Sequence, residues 1–378
     1  MRIGVPKETT VGERRVALVP ESSKKLLQAG YEVAVEAGAG AAAGFSDATF
    51  REAGAVLQSS QAAVLDSDLV LKVNAPEPHE VGAMRPGAIV LGSLMPLRNL
   101  RVVRALAERG VTSFSTDAIP RTTRAQAMDT LSSMANIAGY KGALLAAVEL
   151  NKYFPMLMTA AGMVPPARVF VVGAAVAGLQ AIATVRRLGA NVFATDVRPE
   201  VKEQIESVGA KYVGIELKEA ASAGGGYAKE LTEEDRARQR ELLAAQCALS
   251  DVVITTALIG GVFAPKLITA AMVQGMRPGA VIVDLAADGG GNCELSQPGA
   301  TVTAHGVSIL APLNLAATMP LHASLLFSRN LTAFVQAFTR DKAFQLDFTD
   351  DIQQGAVITH DGEVKHARTR DALQKART

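Results

Sequence analysis

The chain has 378 residues, room for two or three domains at roughly 150 residues each. Lys and Arg number 38 against 37 Asp and Glu; the formal charge of +1 weighs against a nucleic-acid binder that works through a basic surface. Apolar residues at 49% and charged ones at 20% describe a packed globule, and two cysteines, Cys247 and Cys293, are too few for a disulfide framework or a cysteine-rich zinc site, as suits a reducing cytosol. In chain order, short strands are predicted at residues 2–5, 32–36, 69–73, 89–91 and 112–115, with helices such as 21–29 and 97–109 between them. The segment 125–152 has no proline and only Gly139 and Gly142, which predicts a long helix able to bridge two domains. Further strands follow at 168–172, 191–195, 211–213, 252–255, 280–284 and 301–303, then a helix at 321–340 after Pro320. This alternation predicts an α/β fold of two Rossmann-like domains with parallel sheets, joined by the long helix. The first domain is expected to be discontinuous, 1–125 plus 311–378, and the second to span 126–310 with the bridging helix.

Two uncharged stretches need testing as membrane spans. Residues 169–185 fall short and carry Gly173 and Gly178, and residues 306–328 are interrupted by Pro312, Asn314, Pro320 and His322, so neither is read as a span. The opening MRIGVPKE reaches charge too early for a secretory signal. Without tryptophan, and with 4% aromatics, stacking on single-stranded nucleic acid is poorly supplied.

The strongest chemical signal is RVFVVGAAVAGLQAIATVRRLGANVFATDVRP. A buried strand at 168–172 runs into Gly173-Ala174-Ala175-Val176-Ala177-Gly178, then a helix, then a strand ending before Asp196. This is the dinucleotide-binding arrangement in its full context. Gly173 permits the tight turn, Gly178 the close approach of helix to strand, and the helix N-terminus offers N–H groups to a pyrophosphate. Asp196 lies eighteen residues beyond Gly178, where a carboxylate accepts bonds from a ribose diol and repels a 2′-phosphate, so NAD(H) is favoured over NADP(H). Ala175 stands where the middle glycine of the pattern is usual, and Arg198 is placed where it can serve a 2′-phosphate.

On a continuous helix, Gln126, Asp129, Ser132 or Ser133, and Asn136 form one polar face with no other charge before Lys141. Such a stripe fits a nicotinamide ribose and carboxamide in an interdomain cleft, and fits equally a face satisfied by protein or water. The stretch 216–240, ELKEAASAGGGYAKELTEEDRARQR, is long for an αβ connection. Gly224–Gly226 and Tyr227 make it a candidate lid over a nucleotide, or else a surface loop without a role.

RAQAMDTLSSMANIAGYKGALLAA, GAAVAGLQAIATVRRLGANVFATDVRP, GGYAKE, ITTAL and GGNCELSQPG together resemble the NAD(H)-binding component of proton-translocating nicotinamide nucleotide transhydrogenase. The opening GVPKETTVGERRVALVPESSKKL resembles both that family and its relative, alanine dehydrogenase. The resemblance covers essentially Met1 to Asn330. It implies nicotinamide-side, catalytic roles for Arg121, Gln126, Asp129 and Ser132. It implies pyrophosphate and ribose contacts at Val176, Asp196, Val197 and Arg198, alongside the turn residues Gly173, Ala175 and Gly178. Lid and nearby contacts fall on Gly226, Tyr227 and Gln239, with Ala257 and Leu258 from ITTAL. It further implies a homodimer that carries NAD(H) and docks on an NADP(H)-binding subunit and a membrane-spanning subunit. That places the chain in the cytoplasm, peripheral on the inner membrane's cytoplasmic face. No metal site and no nucleic-acid partner are expected. A chain ending at Thr378 without a spanning segment resembles the family's three-subunit form.

An alanine dehydrogenase is the enzymatic rival. Arg15 suits its carboxylate anchor, but the lysine of that family's KVKEP-like segment is replaced in Lys72-Val73-Asn74-Ala75-Pro76, and VLGSLMP at 90–96 lacks the expected histidine. An amide cannot shuttle a proton. Hydride transfer between two nicotinamides needs no such groups, only two rings held face to face. With one dinucleotide fingerprint on this chain, the second nucleotide must come on another. A non-catalytic NAD(H)-binding module is the third reading left open.

Overall fold

The computed structural model describes residues 1–214, 232–258 and 263–376, and the backbone of 222–223 and 227–228. The chain divides into two compact units, Met1–Met134 with Ala317–Thr378, and Ala135–Ala316.

The first unit is built on an eight-stranded sheet. Its order is Val56–Gln58, Glu32–Glu36, Arg2–Val5, Leu69–Asn74, Ile89–Ser93, Thr112–Ser115, Val357–His360 and Glu363–Val364. The first six strands are parallel and read 3-2-1-4-5-6 in chain order. Side chains alternate between two cores: Leu69, Leu71 and Val73 enter one and Val70 the other, as Ile89 and Leu91 oppose Val90. Burial on both faces is why these strands read as continuous apolar runs. The returning helix Pro320–Ala337 starts on a proline and is tied to the segment after the first strand. Val16 N–H donates to Ser324 Oγ and Val19 N–H to Ser328 Oγ, both at 3.0 Å.

The second unit repeats the design. Its seven strands run Lys211–Tyr212, Asn191–Thr195, Arg168–Val172, Val252–Thr255, Val281–Asp284, Val307–Leu310 and Thr301–Ala304. The first six are again parallel and read 3-2-1-4-5-7 in chain order, the sixth strand in the chain lying at the edge. Val169, Val171, Val252 and Ile254 pack on one face, Phe170, Val172 and Val253 on the other.

Three expectations change. Neither sheet is wholly parallel: Val357–His360 and Glu363–Val364 close the first antiparallel, and Thr301–Ala304 closes the second. The last strand of the second unit's sheet in chain order, Val307–Leu310, lies inside the uncharged stretch weighed as a membrane span. His305 and Gly306, at φ 52° and 77°, turn the chain back into it as a tight hairpin. Among the described residues, no helix is long and apolar enough to cross a membrane. Third, the long helix is Thr130–Glu149, and a separate 3-10 turn, Gln126–Met128, precedes it. Asp129 separates the two with a non-helical ψ of 89°. The boundary drawn from sequence at 125/126 kept this helix whole, whereas the units divide within it. Met134 packs on the first unit's core.

Candidate dinucleotide site

Within the second unit, the carboxyl ends of the first, second and fourth strands converge on one turn. Gly173 has φ +92°, and a Cβ on it would lie 2.7 Å from Thr256 Oγ1. Both its conformation and its surroundings therefore require glycine. A Cβ on Gly178 would lie 1.9 Å from the Gly173 carbonyl oxygen, so the helix Val176–Arg187 can begin this close to the strand only with glycine there. Ala175 is different. It is the N-cap at φ −78° and ψ −165°, extended backbone open to any residue, and it is exposed. The missing middle glycine thus costs the turn no backbone strain. The first-turn N–H groups of this twelve-residue helix, from the exposed Val176 onward, are the donors a pyrophosphate would meet. Gly139 extends the same packing. A Cβ there would sit 2.1 Å from the Ala177 carbonyl oxygen, which explains a glycine inside the helix Thr130–Glu149.

Asp196 follows the second strand and is nearly buried, its side chain 7% exposed. Its Oδ2 accepts from Ala174 N–H at 2.8 Å and from Arg198 Nη2 at 2.9 Å. Its Oδ1 accepts from Arg198 N–H at 3.0 Å and from Arg198 Nε at 2.9 Å. Burial pushes this carboxyl up, but the Arg198 side chain and the two backbone N–H groups outweigh it and hold Asp196 below the usual carboxylate range. Arg198 is raised in turn, chiefly by its bonds to Asp196. A carboxylate offers about four acceptor positions, and these four bonds occupy them. Asp196 thus ties the glycine turn to its own loop, a role the sequence did not suggest. Val197 lies half-buried between the two paired residues.

The Thr256–Leu258 segment completes the turn's surroundings. Thr256 Oγ1 donates to the Gly173 carbonyl at 3.0 Å. Ala257 is clasped by Asn292, fully buried. Ala257 N–H donates to Asn292 Oδ1 at 2.9 Å, and Asn292 Nδ2 donates to the carbonyls of Ala257 at 2.9 Å and Pro265 at 2.8 Å. Leu258 is exposed beyond it. Asn292 is set in turn by Asp284 at the end of the fifth strand, which accepts from Thr255 Oγ1, Ala286 N–H, Cys293 N–H and Ser296 Oγ. Thr256, Asn292 and Asp284 escaped the sequence reading. The GGNCELSQPG motif was visible, but the partners of its Asn292 lie 27 to 35 residues away. Cys247 and Cys293 are buried; burial pushes the Cys247 thiol up to about 12 and raises Cys293, so neither is a nucleophile.

Gln239 lies on the helix Glu233–Leu249, not in a loop, so the stretch read as a lid ends well before Arg240. Gly226 and the Tyr227 side chain lie outside the described residues. In the first unit, Asp129 and Ser132 meet. Asp129 caps the helix, accepting from Ser132 N–H at 2.8 Å and Ser132 Oγ at 2.5 Å. Gln126 and Arg121 are exposed on the segment before the cap, and Asn330 Nδ2 pins the turn by donating to the Ala127 carbonyl at 2.8 Å. The expected single helical stripe is therefore a capped turn followed by a helix face. Asn136, its last member, belongs to the second unit and donates to Gln180 Oε1 at 3.1 Å.

Two family descriptions match the chain almost end to end: "Alanine dehydrogenase/PNT, N-terminal domain" over residues 4–138 and "Alanine dehydrogenase/PNT, C-terminal domain" over 142–367. An NAD(P) transhydrogenase alpha-subunit protein of Rhodospirillum rubrum is 46% identical, over 97% of this chain and 98% of that protein. The chain belongs to the transhydrogenase alpha-subunit family. A solved transhydrogenase structure from Sinorhizobium meliloti, 43% identical, superposes with a TM-score of 0.88 over 96% of this chain and 100% of that one. An L-alanine dehydrogenase structure, 25% identical, reaches 0.83 over 99% of each chain. In the first unit, two positions that bear on the alanine dehydrogenase alternative share one partner, Glu13. Asn74, where that alternative calls for a lysine, donates to Glu13 Oε2 at 3.0 Å. Arg15, the expected carboxylate anchor, is held in a bidentate pair with Glu13 at 2.7 and 2.6 Å.

Proposed function

We propose that this chain is the NAD(H)-binding subunit of a proton-translocating nicotinamide nucleotide transhydrogenase. It binds NAD(H) at the glycine turn of the second unit. A partner subunit carries NADP(H), and a membrane-spanning subunit couples the reaction to proton movement. The nicotinamide supplies the hydride; the protein's contribution is binding, orientation and exclusion of water. Gly173 and Gly178 leave the space, the helix from Val176 supplies N–H donors, and Asp196 with Arg198 frames the ribose, Val197 between them. Ala257 and Leu258 border the turn, with Gln239, Gly226 and Tyr227 as further contacts. On the first unit, Arg121, Gln126, Asp129 and Ser132 orient the nicotinamide end. The chain works as a homodimer, peripheral on the cytoplasmic face of the inner membrane.

The observation that carries this reading is the contrast between the two units. The second keeps glycine at the two positions of a dinucleotide turn that require it, whereas in the first the groups considered for binding and protonating an amino-acid substrate are replaced or already paired. The test is hydride transfer in the full chain. With an NADP(H)-binding partner subunit and NADPH added, reduction of an NAD analogue is expected, and no oxidation of NADH by pyruvate and ammonia. Turnover with pyruvate and ammonia would return the chain to the dehydrogenases. NADH binding without transfer in either assay would leave it a binding module.

A further inference from the structure

The returning helix Pro320–Ala337 sinks Phe327, Leu331, Phe334 and Val335 into the first unit's main apolar cluster. Asn330 interrupts that run. It is 8% exposed, and its helical neighbours three residues before and four after, Phe327 and Phe334, are core residues. Its amide is half used. Nδ2 donates to the Ala127 carbonyl at 2.8 Å, while Oδ1 is buried and meets no donor. A buried acceptor without a partner is a net cost, and an aliphatic side chain of the same branching avoids it. Ala127 is exposed, so its carbonyl could bond water if the donor were absent. Core stability therefore does not account for an asparagine at 330. What the side chain adds is the placement of Ala127.

That placement matters because the turn holds itself poorly. Gln126–Met128 is a single 3-10 turn, whose hydrogen-bond geometry is inferior to that of an α-helix. Two of the backbone bonds around it are long: Gln126 N–H to the Thr123 carbonyl at 3.4 Å and Asp129 N–H to the Gln126 carbonyl at 3.3 Å. Ala125 and Met128 bury their side chains in the core cluster, whereas Gln126 is exposed. Apolar contacts are non-directional; they hold the segment against the core without fixing its rotation, which a hydrogen bond to a backbone carbonyl does. Nearby, Arg124 pairs with both carboxylate oxygens of Asp350 at 2.5 and 2.8 Å, but Arg124 is exposed, and such a pair is screened by salt and contributes little. The buried bond to Ala127 lies one residue after Gln126 and two before Asp129. We propose that Asn330 is a positioning residue for hydride transfer: acting through the Ala127 carbonyl, it fixes the turn that presents Gln126 and Asp129. The inference rests on the nicotinamide-side role proposed for that turn.

The test uses the full chain with an NADP(H)-binding partner subunit, NADPH and an NAD analogue, with NADH titration and thermal unfolding alongside. Asn330→Leu keeps the branching of the side chain and removes the donor. Its Tm should not fall and its NADH affinity should stay within about twofold, while hydride transfer drops about 10- to 100-fold, as for a turn displaced by up to about 1 Å. Asn330→Ala removes the same donor and leaves a cavity, so its Tm should fall, with a loss of rate like that of Asn330→Leu. Asn330→Ser is as small but keeps an O–H donor, and should recover part of the rate at a Tm close to that of Asn330→Ala. Rate would then follow the donor and not the stability. If Asn330→Leu does not fold, the comparison of Asn330→Ala with Asn330→Ser decides. Wild-type rates in the variants without a donor, rates that follow Tm across the variants, or NADH affinity lost in proportion to rate each overturn the proposal. A wild-type chain that binds NADH but transfers no hydride refutes the reading of the turn itself, a result distinct from wild-type transfer that the Asn330 variants leave unchanged.

Discussion

Removing the Asp196 carboxylate tests the dinucleotide turn at its most connected point. In Asp196→Ala, four bonds disappear together: those from Ala174 N–H, Arg198 N–H, Arg198 Nε and Arg198 Nη2. A hydrogen bond to a charged group contributes about 1.5–3 kcal/mol, and bonds sharing one carboxylate are not additive. The Arg198 side chain is 13% exposed, so part of its charge can return to water. Together these set the expected destabilisation at about 3 kcal/mol, between one such bond and the loss of a fully buried pair. Nucleotide choice should move as well. A 2′-phosphate about 4 Å from this carboxylate meets a repulsion of about 4 kcal/mol at an effective dielectric near 20. Arg198 offsets part of it, leaving about 1.4–2.8 kcal/mol, a 10- to 100-fold preference for NADH over NADPH. A ribose diol must also take at least one acceptor position from Arg198, so NADH affinity should be moderate. Fluorescence titration of both nucleotides into intact and variant chains, with urea unfolding alongside, reads the two effects separately. The variant should narrow the nucleotide gap and lose stability. Equal affinity for NADH and NADPH in the intact chain, or a variant of unchanged stability, refutes the reasoning. There is an acid-side corollary. Because the folded value of Asp196 is depressed, its stabilisation is present above the ordinary carboxylate value of about 3.9 and is lost as pH falls below it, a loss the variant should lack.

Gly178→Ala puts a methyl 1.9 Å from the Gly173 carbonyl oxygen, backbone that cannot yield cheaply, so about 1–3 kcal/mol of stability and most NADH affinity should go, read by thermal unfolding and titration. Asn292→Ala strips three bonds from Ala257 and Pro265, and NADH should bind several-fold more weakly while the sheet core keeps its amide-exchange protection. Gln126→Asn shortens an exposed amide on the pinned turn before the helix; hydride transfer in the reconstituted complex should fall up to about 100-fold, as for a misplacement of about 1 Å, with NADH affinity nearly unchanged.

What the sequence made legible, and what it hid, divides by the range of the interaction. Strands such as Arg168–Val172 and Val252–Thr255 were readable because both faces are buried, which leaves an unbroken apolar run. Gly173 and Gly178 were readable because their constraint is the backbone of the same short turn. Val307–Leu310 was missed because its neighbourhood is uncharged throughout, so hydropathy could not separate a strand from its flanks; only the His305-Gly306 turn marked it. The polar stripe failed for a local reason. Asp129 has the side chain of a helix cap, and a cap breaks the very periodicity that was counted across it.

The partners of buried polar groups form the other class. Asp196 was assigned to a ribose from its position, yet the bond that gives it a structural role comes from Ala174, 22 residues earlier, and exists only once two strands lie side by side. Asn292 reaches back 35 residues, and Glu13 and Asn74 meet across 61. Such groups are fixed in type by the cost of burying an unpaired donor or acceptor, but which partner satisfies them is settled by strand order, which periodicity does not encode. The same rule bears on function. The turn that holds a dinucleotide is a local device, set by a few residues of one strand and one helix. An amino-acid substrate needs a constellation assembled across strands, and it can be dismantled by changes as small as an asparagine at position 74. In the first unit the charged side chains at the carboxyl ends of the strands satisfy one another: Glu13 holds Arg15 and Asn74, and Glu80 holds Lys72.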